Sequence, residues 1–209
     1  MLRKEVVTKR VFETLVKIQL NKKFEDFYLV GGTALSLQLG HRKSIDLDFF
    51  VRQDFSANIV KELEIEYQPI NISDNYISLV SAGTKIEFVA FFYEPSMDLV
   101  NEDMIRLLNP VDIGLFKLLA IQGRSTKKDI VDLYFIDKEV IKLENLLEIF
   151  EKHFPKDSFN EYSSLKRVIN DEKIKESVMP EMLLPVNFEK ACDLVKTKII
   201  RHIQRLIES

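Results

Sequence analysis

At 209 residues, 46% hydrophobic and 30% charged, the chain has the composition of an ordinary globular protein, long enough for one large domain or two small ones. A formal charge of −3 argues against holding nucleic acid through the overall field, and no segment approaches the roughly 20 uninterrupted apolar residues of a membrane span. One cysteine, Cys192, excludes an internal disulfide and suits a reducing cytoplasm, while three dispersed histidines (His41, His153 and His202) argue against a His/Cys zinc site.

From the N-terminus, residues about 5–22 carry a helical apolar period with Lys and Glu scattered through it, unlike the compact apolar core of a signal peptide. "FYLV" (Phe27–Val30) predicts a short buried strand ended by Gly31-Gly32, and "TALSLQLG" a helix capped by Thr33 and stopped by Gly40. "SIDLDFFV" reads as the next strand, and "SANIVKELEIEY" as a helix with Ser56 as its cap. "NYISLVSAGTKIEFVAFFY" reads as two strands joined at "SAGT", where Gly83 can take a positive φ.

After Pro95 the pattern turns helical. "NPVDIGLFKLLAIQG" has Pro near its start and Gly123 at its end; "TKKDIVDLYFIDKE", "LENLLEIFEKHF", "FNEYSSLKRVIND" and a helix from about Phe188 to Ile207 follow. The expected organisation is an α/β half, residues 1–95, and a helical half, residues 96–209, with the cleft between two such halves a common place for a ligand. Lys198, Arg201 and Arg205 in "KTKIIRHIQRL" fall at helical spacing, and a solvated face is favoured there over an RNA-contacting one.

The chemistry concentrates in "FYLVGGTALSLQLGHRKSIDLDFF". Residues i and i+2 of a strand share a face, so Asp46 and Asp48 point one way while Ile45, Leu47 and Phe49 point the other, into packing. Two carboxylates side by side repel unless one is protonated or a divalent cation sits between them. Oxygen ligands make magnesium or manganese the expected metal. Glu87 in "TKIEFVAFF" completes a three-carboxylate cluster if its strand neighbours the first, and such a cluster can hold two cations for in-line phosphoryl or nucleotidyl transfer. Gly31-Gly32, between a strand and a helix, lets backbone N–H groups approach an anion at the positive end of the helix dipole. Arg42 and Ser44 lie just ahead of the aspartates, within reach of phosphate oxygens, and His41 reads as positional rather than catalytic.

"GGTALSLQLGHRKSIDLDFF" resembles the signature of the AbiEii/AbiGii-type nucleotidyltransferases, toxins of bacterial abortive-infection and type IV toxin–antitoxin systems. "DIGLFKLLAIQGRSTKKDIVDLYFI" resembles the later pattern of the same family. The resemblance implies an α+β fold: a nucleotidyltransferase core, a small mixed sheet with helices, followed by a helical C-terminal domain. It implies Gly31, Gly32 and Thr33 at the triphosphate, Ser44 near the phosphates, and Asp46 and Asp48 as metal ligands. Glu87 is implied as the third carboxylate, able to accept the proton of the attacking hydroxyl, and Lys117 as a phosphate-neutralising cation. Arg124, Lys128, Asp129 and Asp132 would form the later motif. Apart from the family, Lys117, Arg124 and Lys128 fall near one helical face if the helix is nearly continuous through Gly123, and Lys128 and Asp132 are i,i+4 partners.

The expected function is therefore metal-dependent transfer of a nucleoside monophosphate from an NTP to an acceptor hydroxyl, on RNA such as tRNA or on protein. The cofactor is magnesium or manganese, and a cognate antitoxin is the implied partner. The alternative is an inactive nucleotide- or partner-binding module of the same fold, which loss of an aspartate or of the glycine pair would mark; this chain keeps them all. A two-metal nuclease also uses clustered carboxylates but has no need of the glycine cradle or Lys117.

Overall fold

The computed structural model describes residues 1–123, 126–154, 174 and 176–208. Its contacts divide into two compact units, Met1–Asn109 and Pro110–Ser209.

The first unit is built on a mixed seven-stranded sheet in the order β3 (Gln68–Ser73), β4 (Tyr76–Ser81), β5 (Thr84–Ala90), β2 (Leu47–Val51), β1 (Tyr28–Val30), β7 (Ile105–Leu107) and β6 (Val100–Glu102). Helix α1 (Lys9–Leu20) starts at Thr8, whose hydroxyl accepts from the Val11 amide, and buries Val11, Leu15 and Ile18 along one stripe. The three residues of β1 (Tyr28–Val30) are all buried. Helix α2 (Gly31–Leu39) follows with no intervening loop, and Gly40 closes it in the left-handed region at φ 72°, its amide donating to the Ser36 carbonyl.

Strand β2 (Leu47–Val51) alternates buried and half-buried residues. It runs antiparallel to β1 and parallel to β5. Strands β4 (Tyr76–Ser81) and β5 (Thr84–Ala90) form the expected hairpin, and both turn residues have positive φ, Ala82 at 55° and Gly83 at 81°, the twist that a two-residue connection requires. The core between sheet and helices is aromatic: Phe49 and Phe88 stack at 5.1 Å, Phe24 tilts against Phe88 at 5.2 Å, and Phe27 meets it edge-on at 5.4 Å.

Two parts of the sheet depart from the sequence reading. Strand β3 (Gln68–Ser73) is an exposed edge strand with a register shift between Pro69 and Asn71, and its proline and lack of a buried face hid it. Residues expected to begin the helical half instead pair as β6 (Val100–Glu102) and β7 (Ile105–Leu107), turning through Asp103 and Met104 at φ 51° and 63°. No glycine marks that turn. The "SANIVKELEIEY" segment is a 3-10 helix, Ala57–Glu62, with the Ser56 hydroxyl at its start as expected.

The second unit contains helices α3 (Pro110–Gly123), α4 (Lys127–Glu139), α5 (Leu143–His153) and α6 (Phe188–Glu208) among the described residues. Thr126 caps α4, its hydroxyl accepting from the Asp129 amide. Gly114 of α3 lets α5 come close, since a methyl group there would stand 2.8 Å from a Leu146 methyl. Ala191, Val195, Ile199 and Ile203 form the buried stripe of α6. The helix expected over "FNEYSSLKRVIND" lies outside the described residues. Among the described residues no helix is long and apolar enough to cross a membrane.

Candidate active site

The register of the sheet brings two of the sequence-predicted residues, Asp48 and Glu87, side by side. Val30 of β1 pairs with Asp48 of β2, and Asp48 pairs with Glu87 of β5. Because neighbours in register share a face, Asp48 and Glu87 stand side by side, and the glycine turn leaves β1 one residue beyond the same row. The two strands are neighbours, as the cluster requires.

Gly31 has φ 70°, and a Cβ there would lie 2.8 Å from Asp48 Oδ2. The Asp48 carboxylate therefore sits directly against the start of α2, whose N-cap residue, Val30, has no side chain able to cap the first amides. An anion is favourable at that position, because unsatisfied amides and the helix dipole both present positive charge. A Cβ at Gly32 would strike the Arg42 guanidinium. Arg42 is buried, its Nη1 donating to the Lys43 carbonyl at 3.0 Å, so it underlies the glycine turn. His41 is buried beside it.

Thr33 takes a different place from the expected helix cap. It lies inside the first turn of α2, buried, and its hydroxyl donates to the Asp46 carbonyl and stands 2.8 Å from Ser44 Oγ. It thereby ties the segment carrying Ser44 and Asp46 to the helix that begins at the glycines. Asp46 itself precedes β2, half-buried like Asp48. Ile45 is 53% exposed rather than packed, because the strand begins only at Leu47. Leu47 and Phe49 are fully buried as expected.

Glu87 is engaged. Its Oε1 accepts from Tyr76 Oη at 2.5 Å and from Lys85 Nζ at 2.9 Å. Burial pushes the Glu87 carboxyl up, but these two donors outweigh it and hold the group below the ordinary glutamate range. The same bond raises the Tyr76 phenol above its ordinary value. Sequence reasoning missed Tyr76 and Lys85; the i,i+2 spacing of Lys85 and Glu87 on a strand was the available signal.

Among the described residues no three Asp, Glu, His or Cys side chains converge as a metal-holding group. The donor set nevertheless suits a hard cation in part. Asp46 and Asp48 supply two half-buried carboxylates, Asp48 beside a turn with no side-chain bulk, while Asp46 lies just ahead of the strand, where the i,i+2 rule for a shared face does not reach it. Glu87 lies in register with Asp48, but with one oxygen committed to Tyr76 and Lys85.

In the helical unit, Lys117 of α3 is held between two carboxylates of α4, at 2.9 Å from Asp129 and 2.7 Å from Asp132. Asp129 also accepts from the Thr126 hydroxyl at 2.7 Å. Both aspartates are buried. Asp132 thus pairs with Lys117 instead of answering Lys128, which is exposed. The helix is not continuous: α3 ends at Gly123 and α4 begins at Lys127, so Lys117 and Lys128 sit on separate helices. Arg124 lies outside the described residues.

Comparison with known proteins agrees with the family read from the sequence. Residues 13–87, which contain the glycine turn and all three carboxylates, match the model of the nucleotidyl transferase AbiEii toxin of type IV toxin–antitoxin systems. The chain is 28% identical over 191 residues to an uncharacterized protein of Aquifex aeolicus (strain VF5), covering 86% of this chain and 89% of that one. Among solved structures, JHP933 from Helicobacter pylori has a TM-score of 0.55 at 17% identity, covering 97% of this chain and 95% of that one. MenT4, a nucleotidyltransferase toxin of Mycobacterium tuberculosis H37Rv, has a TM-score of 0.56 at 14% identity, covering 90% of this chain and 80% of that one. The fold is that of the nucleotidyltransferases, a mixed sheet with helices followed by C-terminal helices.

Proposed function

We propose, from the premise that residues 13–87 carry the pattern of the AbiEii nucleotidyltransferase toxins, that the protein transfers a nucleoside monophosphate from an NTP to an acceptor hydroxyl. The observation that carries this reading is the shared row of Val30, Asp48 and Glu87, which sets a carboxylate pair beside the glycine turn that opens α2. A phosphate cradle and a cation-binding face are then adjacent, the combination that nucleotidyl transfer needs and a simple turn does not.

In this reading Asp46 and Asp48 hold the divalent cation, magnesium or manganese, which supplies Lewis-acid stabilisation of the phosphate charge. The backbone amides of Gly31, Gly32 and Thr33 receive phosphate oxygens, and Ser44, fixed against Thr33, lies close by. Arg42 adds fixed positive charge beneath the turn. The acceptor oxygen attacks the α-phosphorus, the bond to the bridging oxygen of the β-phosphate breaks, and pyrophosphate leaves. The acceptor proton passes to a carboxylate of the Asp48–Glu87 row. Within the helical unit, Lys117, Arg124, Lys128, Asp129 and Asp132 are the nucleotide-binding residues that the family pattern implies, with Asp129 and Asp132 fixing Lys117. The acceptor is RNA, such as tRNA, or protein, and the type IV toxin match supports a cognate antitoxin encoded alongside.

The test is incubation of the purified protein with each α-labelled NTP, magnesium or manganese, and total cell RNA, followed by separation of RNA and protein. Label is expected in one class of acceptor with wild type and in none with Asp46→Ala or Asp48→Ala, whose circular dichroism should match wild type. Full labelling by either variant would remove the cation site from the mechanism.

A further inference from the structure

The hydrogen bonds around Glu87 fix the position of a lysine. Lys85 and Glu87 are i,i+2 on β5 and share a face. Glu87 stands in register with Asp48, and Ile86 with Leu47. The pairing begins at Leu47 and Ile86, so Lys85 lies one residue before it, on the Asp48/Glu87 face of the sheet and within electrostatic reach of Asp48.

This lysine is tethered. Its Nζ lies 2.9 Å from Glu87 Oε1, and Tyr76 holds the same oxygen from the neighbouring strand at 2.5 Å. Lysine is among the side chains that lose most rotamer freedom on being fixed, and a strand salt bridge in water gives little in return. Here a phenol and a carboxylate, one half-buried from each strand of the hairpin, converge to place one ammonium. The Lys85 side chain is still 46% exposed, so its charge is open to a ligand from solution. A fixed cation on the Asp48/Glu87 face works against a metal bound there, unless a polyanion joins them and takes up both positive charges.

We propose that Lys85 is a triphosphate-facing cation of the first unit, and that Glu87 and Tyr76 are positioning residues that hold it beside Asp48. The inference rests on the nucleotidyl-transfer reading for the identity of the polyanion. It assigns Glu87 a task beyond that of a third carboxylate and adds Tyr76 and Lys85 to the site.

The experiment measures binding of inorganic tripolyphosphate and of NTP by calorimetry, and of Mn²⁺ by water-proton relaxation, in wild type and variants. Lys85→Met is expected to weaken tripolyphosphate by about tenfold or more, the loss of a charged hydrogen bond, while Mn²⁺ binds at least as tightly as in wild type. Lys85→Arg should recover part of the affinity. Tyr76→Phe should weaken tripolyphosphate by about threefold, and Tyr76→Phe/Lys85→Met should be no worse than Lys85→Met alone, because the two act as one unit. Wild-type tripolyphosphate affinity in Lys85→Met, with wild type binding normally, overturns the inference alone, as does full additivity of the two substitutions. A wild-type protein that binds neither NTP nor tripolyphosphate sinks the transfer reading and this inference together.

Discussion

Gly31 shows how narrowly single residues define the site. Its φ of 70° costs an L-residue about 1–2 kcal/mol, and a methyl group would also press on Asp48 Oδ2 from 2.8 Å. Gly31→Ala should therefore lower unfolding free energy by at least that order in a denaturant titration, and also weaken Mn²⁺ binding, since the carboxylate must move. Loss of stability with unchanged Mn²⁺ affinity would separate the turn from the cation face. Part of this neighbourhood was legible in the chain: a double glycine between strand and helix is by itself most often a simple turn, and it gains meaning from the pair of aspartates that follows about 15 residues later. The role of Thr33 was not legible. A threonine after glycines reads as a cap, and only the folded position of Ser44 and Asp46 turns its hydroxyl inward. Tyr76 was equally hidden, because its bond to Glu87 depends on the β4–β5 register and not on local spacing.

Helix α6 gives the clearest energetics at the scale of elements. Lys198 lies 2.6 Å from Asp137 of α4 and 2.9 Å from Glu144 of α5, so one side chain stitches three helices. It is therefore structural, and the expected basic face is left to Arg201 and Arg205, both exposed. Burial pulls the Lys198 ammonium down, but its two carboxylates raise it above the ordinary lysine range. Burial pushes Glu144 up, and Lys198 holds it below the ordinary carboxylate range. The Glu144 share of stability is present above the unfolded carboxylate pKa, about 4.3, and is lost as pH falls through the lowered folded value. The Lys198 share is present below about 10.4 and is lost as pH rises through its raised value. Lys198→Met should thus flatten both limbs of the melting-temperature profile, most visibly between about pH 5 and pH 3. A profile parallel to wild type, merely displaced, would deny the pairing its electrostatic role. Helix α3 was readable from Pro110 and Gly123. Strand β3 and the β6–β7 hairpin were not, since one is an exposed edge and the other turns on Asp103 and Met104 without glycine.

For the molecule as a whole, the toxin match over residues 13–87 leads to a prediction about cells. Expression in a bacterial host without an antitoxin should arrest growth, and Asp48→Ala at equal protein level should not. Unimpaired growth with wild type would count against toxicity while leaving nucleotidyl transfer open to the labelling assay. The outermost strand of the sheet bears on how such a protein survives its own synthesis. Strand β3 exposes Ile70 by 60% and Ile72 by 39%, an apolar margin that in a flat, regular strand would template cross-chain pairing. Pro69 removes one amide from that margin, and the slip between Pro69 and Asn71 throws the following residues out of phase. A second copy approaching this border meets a ladder with a missing rung and a changed spacing. The sheet is thereby kept from extending itself into a fibre, and copies made close together on one messenger can fold side by side without joining edge to edge.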